Sequence, residues 1–69
     1  MELPTVLSKF LIQEDEETFY HLYSEDFRTI GELLLIFQDL RIFNYEIVHN
    51  EIIINSKIYN ELMNKCFNK

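Results

Sequence analysis

With Cys66 as the only cysteine among 69 residues, this chain can form no internal disulfide, so its fold rests on apolar burial alone or on help from a partner. A chain of this length has room for one core and no second domain. Folding hides only about 60% of the surface that the unfolded chain exposes. The composition meets that demand, because 48% of the residues are hydrophobic and 14% aromatic, among them Phe10, Phe19, Phe27, Phe37, Phe43 and Phe67. So much apolar material excludes a disordered tail. It is also rich for a small interior, and part of it is expected to close against another chain.

A lone thiol points to a reducing compartment. Met1 to Pro4 carry the acidic Glu2 and neither a basic stretch nor a long apolar run, unlike a signal peptide. The longest apolar run, Leu33 to Phe37, is far short of the roughly 20 residues that span a bilayer. The expectation is a soluble cytoplasmic protein that does not use the membrane. The chain contains no alanine and is rich in isoleucine, asparagine, lysine, tyrosine and phenylalanine. Such a bias follows from AT-rich codons, and small AT-rich reading frames are common in phages, archaeal viruses and plasmids.

Apolar spacing predicts the elements. From Thr5 to Gln13 two readings are open: Leu3, Val6, Leu7, Phe10 and Leu11 fit a helical face, while Val6, Phe10 and Ile12 fit alternation. A strand is favoured for Lys9 to Gln13, because the charged loop Glu14 to Glu17 and the β-forming Thr18 to Tyr23 follow and complete a hairpin. Phe19, His21 and Tyr23 then share one face, and Thr18, Tyr20 and Leu22 the other. Thr29 stands three residues before Glu32 as a capping box, so a helix is predicted from Ile30, with Ile30, Leu33, Leu34, Phe37 and Leu40 as its buried stripe. Gly31 falls in its first turn. Tyr45–Val48 and Glu51–Ile54 read as a second hairpin across His49-Asn50, where Asn50 tolerates positive φ better than His49. Asn55 and Ser56 end that strand and cap a last helix whose apolar side is Ile58, Tyr59, Leu62, Met63, Cys66 and Phe67. The predicted fold class is α+β: a small single domain in the order β-β-α-β-β-α, with antiparallel hairpins packed with two helices.

Catalytic chemistry finds no foothold in these residues. Phosphate loops need clustered glycines, and Gly31 is the only one. A structural zinc site wants four closely spaced ligands, against His21, His49 and Cys66. Ser8, Ser24, Ser56 and Cys66 lie in no nucleophile context, and Cys66 reads as a small buried hydrophobe. Carboxylates that act as general acids sit in walled clefts, for which so short a chain has little material. No enzyme, cofactor or metal is expected.

The net charge of −6 is uneven, with half of the twelve acids in Glu14, Asp15, Glu16, Glu17, Glu25 and Asp26, and no lysine or arginine from residue 14 to 26. These six are expected to form one acidic patch that repels nucleic acid and steers the protein onto a basic surface. The predicted function is a non-enzymatic interaction module, such as a phage- or plasmid-encoded inhibitor or modulator docking on a larger protein or nucleoprotein complex. The alternative is a small winged-helix-like transcription regulator, whose case is weakened by basic residues scattered over Lys9, Arg28, Arg41, Lys57, Lys65 and Lys69. Leu35 and Ile36 lie outside the buried stripe of the central helix and are the expected interface of a homodimer.

Overall fold

The computed structural model of the protein describes residues 3–67. The expectations for the Phe67 side chain and for Lys69 lie outside the described residues. In chain order the elements are α1 (Leu3–Leu7), β1 (Leu11–Glu14), β2 (Phe19–Tyr23), α2 (Phe27–Asp39), β3 (Glu46–Val48), β4 (Glu51–Asn55) and α3 (Ser56–Phe67). The α+β class and both hairpins stand as the periodicity predicts, with α1 added in front. In the ambiguous N-terminal segment the helical reading holds for Leu3–Leu7, and the favoured strand is present but starts at Leu11 instead of Lys9. Leu3, Val6 and Leu7 are buried along one helical stripe, two tight backbone bonds (Lys9 N–H to Val6 O and Phe10 N–H to Leu7 O) end the helix, and the strand begins at Leu11.

The strands form one antiparallel sheet in the order β1-β2-β4-β3. β2 and β3 flank β4, so the chain crosses from β2 through α2 to the far edge and returns by the hairpin into the gap. In the β2–β4 register Tyr20 faces Ile54 and Leu22 faces Ile52. Leu22, Ile52 and Ile54 lie in the core together with Val6 of α1, Ile30, Leu33 and Phe37 of α2, and Ile58 and Leu62 of α3. All three helices thus contribute to one face of the sheet. Tyr20 also stacks flat on Tyr59, ring centres 3.8 Å apart, tying β2 to α3.

Helix α2 starts earlier than the capping box suggests. Asp26, with extended backbone, is the N-cap, and its carboxylate accepts from the Arg28 N–H at 2.9 Å. Asp is as good a cap as Thr, and Phe27 and Arg28 are helix-competent, so two more residues join the helix. Thr29 is consequently buried inside it, and Gly31 sits in the second turn. The other end closes as a Schellman motif, with Arg41 N–H donating to Gln38 O at 3.1 Å and Ile42 N–H to Phe37 O at 2.8 Å. Arg41 holds the left-handed position usually given to glycine, at φ 58°.

In the second hairpin the left-handed residue is His49, at φ 53°, and not Asn50. The favoured two-residue loops need positive φ at their first central position, whichever side chain falls there. At the start of α3, Asn55 supplies the cap through its side-chain oxygen, which accepts from Ile58 N–H at 2.9 Å. No described helix is long and apolar enough to cross a membrane.

Candidate functional site

The face of the sheet away from the helices carries Leu11 and Gln13 from β1, Phe19, His21 and Tyr23 from β2, Glu51, Ile53 and Asn55 from β4, and Glu46 and Val48 from β3. Leu11, Phe19, Tyr23 and Val48 are exposed large hydrophobics. The alternation in β2 puts Phe19, His21 and Tyr23 together as expected, and the β2–β4 pairing then aligns them with the second hairpin.

At the tip of the first hairpin, Asp15 organises the site. One carboxylate oxygen accepts from the backbone N–H of Glu17 at 2.8 Å and of Phe19 at 3.0 Å. The other lies 2.7 Å from His21 Nε2, which donates because a carboxylate can only accept. On the opposite side of the ring, Nδ1 is 3.9 Å from Glu51. The His21 hydrogen bond, helped by the Phe19 and Glu17 N–H groups, holds the Asp15 carboxyl below its ordinary range. Beside this pair lies an open depression of about 330 Å³, with Phe19, His21 and Ile53 in its lining and Asp15, Glu17 and Glu46 as its acids.

A depressed carboxyl carries a definite pH signature. Its contribution to stability is present above the unfolded value, near pH 4, and disappears as pH falls through the lower folded value. Asp15→Asn keeps an acceptor for the two backbone N–H groups but loses the anion facing His21. The variant is expected to be less stable than wild type at pH 7 and to approach it below about pH 4. Urea midpoints measured from pH 7 to pH 2 test this; parallel curves would contradict it.

The six acids do not form one patch. Glu14 to Glu17 and Glu25–Asp26 sit at opposite ends of β2, and a five-residue strand holds its ends apart by more than about 13 Å. Within the second cluster Asp26 is used locally as the cap of α2, while Glu25 is exposed at the rim of a separate depression. Glu14 lies across from Tyr20 on the helix side of the sheet. Burial, reinforced by a hydrogen bond to Glu14, pushes the Tyr20 hydroxyl up. Glu16 and Glu17 are exposed at the tip. The acids that join Asp15 and Glu17 on the open face are Glu46 and Glu51, which sequence spacing does not single out. The available signal is their place in two runs of β-forming residues joined by the two-residue His49-Asn50 turn, although only Glu51 adjoins a buried isoleucine, Ile52, while Ile47 beside Glu46 is exposed.

The hydroxyl and thiol groups lie elsewhere. Ser24 is buried and accepts from Asp26 N–H, Ser8 donates to Thr5 O, and Cys66 is half-buried on α3, where burial pushes its thiol up. Among the described residues no group of three or more His, Cys, Asp and Glu side chains is placed to hold a metal ion.

The proposed dimer residues separate. Leu35 is 65% exposed, whereas Ile36 packs against the core. Around Leu35 a second, more apolar depression is lined by Gly31, Leu34, Gln38, Phe43 and Tyr45. The succession of α2, the β3–β4 hairpin and α3 is the helix–hairpin–helix order on which the winged-helix-like reading rests. No family model, no curated protein and no solved structure matches the chain.

Proposed function

We propose that the protein is a non-enzymatic, cytoplasmic interaction module that docks through its open sheet face on a basic surface of a larger protein or nucleoprotein complex, as an inhibitor or modulator of the kind a phage or plasmid carries. The observation that carries this reading is the chemistry of that face. Leu11, Phe19, Tyr23, Ile53 and Val48 provide apolar contact, and Asp15, Glu17, Glu46 and Glu51 stand among them with no lysine or arginine in the set. Desolvated aromatic anchors supply most of the affinity at a protein interface, while rim charges set approach and orientation. A sheet with aromatic residues also suits single-stranded nucleic acid, but phosphate requires surrounding cations, and here the charges are of the wrong sign.

The discriminating variant is Glu17→Lys with Glu46→Lys, which reverses the rim and leaves the structural Asp15 intact. Wild-type protein used as bait in host extract at moderate salt is expected to retain a specific protein, and retention should weaken as ionic strength rises. With that partner purified, the double variant should associate about tenfold more slowly or worse at low salt. Its stability should stay within about 0.5 kcal/mol of wild type. No specific partner, or unchanged association by the variant, would sink the proposal; a gel shift that weakens steeply with salt would favour nucleic acid instead.

A further inference from the structure

The outer stripe of α2 carries apolar side chains that the fold does not use. Phe27 and Leu35 are 69% and 65% exposed, and Phe43, which borders the groove beside the helix, is 67% exposed. Successive turns of a helix align residues four apart, so Phe27, Gly31 and Leu35 run along one line, with Leu34 and Gln38 beside it. Gly31 interrupts this ridge with a notch: a Cβ placed there would meet nothing within 4 Å. A protruding leucine and an empty notch one turn apart on the same helix face form a self-complementary pair.

We propose that two copies of this chain form a two-fold dimer in which α2 packs antiparallel on α2, each Leu35 seated in the Gly31 notch of the other copy. A dyad midway between Gly31 and Leu35 brings together residues whose numbers sum to about 66, because a two-fold contact is isologous. It places Arg28 of each copy opposite Gln38 of the other and next to its Asp39, pairing opposite charges on the flank of the seam. A parallel arrangement would instead set Leu35 on Leu35 and Arg28 on Arg28. The missing side chain at Gly31 allows the axes to approach more closely than the usual 8 to 10 Å or so.

The area is adequate. An aromatic side chain offers about 150 to 250 Å² for burial. With two-thirds of Phe27, Leu35 and Phe43 uncovered, these three side chains bring on the order of 300 to 400 Å² per copy. A standard interface buries about 800 Å² per partner, somewhat over half of it apolar, so they supply most of the apolar share.

Sedimentation equilibrium at physiological salt, from about 1 to 100 µM, tests the assembly, with far-UV circular dichroism reporting the fold of each variant. Wild type is expected to be a dimer. Leu35→Glu should raise the dissociation constant by about a hundredfold or more, since each contact is lost twice. Gly31→Leu is the sharper variant: it fills the notch and favours the helix, so it should give a monomer that melts higher than the wild-type monomer. Arg28→Asp should weaken the dimer, and Arg28→Asp combined with Asp39→Arg should restore it. A monomeric wild type at 100 µM overturns the proposal. So does a dimer that survives Gly31→Leu, or a charge swap that fails to rescue.

Discussion

Phe37→Ala is expected to remove most of the stability of this domain. Phe37 is 0% exposed and the largest of its fully buried side chains, it lies in one cluster with residues of all three helices and two central strands, and its ring meets Tyr45 at 5.4 Å. Its carbonyl also accepts the Ile42 N–H that closes the Schellman motif, so the side chain is anchored where α2 hands over to the segment leading into β3. Truncating a buried phenylalanine costs about 3 to 5 kcal/mol. At 0.05 to 0.15 kcal/mol per residue, a chain of this size has roughly 3 to 10 kcal/mol in all. Thermal unfolding followed by circular dichroism should show the midpoint lowered by more than about 15 °C, or no cooperative transition at all. A loss below about 1 kcal/mol would mean that the core is not centred on this ring.

Phe37 was legible beforehand because it lies on a 3.6-residue period, and the same holds for Ile30 and Leu33. The beginning of α2 was not. Asp26 and Thr29 are both competent caps three residues apart, and local rules do not choose between them; the earlier one takes the helix because Phe27 and Arg28 extend it and Thr29 finds a buried place. The faces of β2 were legible from alternation. The faces of β4 were hidden by three successive isoleucines, of which Ile52 and Ile54 are buried while Ile53 belongs to the open face. The acidic site was half legible. Asp15 and His21 are six positions apart across one hairpin, within reach of a sequence argument. Glu46 and Glu51 arrive by the long-range pairing of β2 with β4, and long-range register leaves no mark on composition. Glu25 and Asp26 erred the other way, because nearness in sequence across a strand means distance in space.

Leu7→Asp is expected to abolish the cooperative fold, and it separates the two readings of the N-terminal segment. In the helical stripe Leu3, Val6, Leu7 and Phe10 face inward together; in an alternating strand through Val6, Phe10 and Ile12, position 7 points away and would tolerate an acid. Leu7 is buried at the end of α1 in the same cluster as Leu33 and Leu62. Losing a buried leucine side chain costs about 2 to 5 kcal/mol, and an unpaired carboxylate in its place adds several more. The sum is as large as the whole stability of a domain of this size. Thr5, on the exposed side of the same five-residue helix, provides the control, since Thr5→Asp should shift stability by no more than about 0.5 kcal/mol. A helix this short has almost no stability by itself, so α1 exists because its stripe is covered by α2 and α3, with which it makes its contacts. Urea titrations of both variants decide the matter: a Leu7→Asp protein as stable as Thr5→Asp would remove α1 from the core and return the segment to the strand reading.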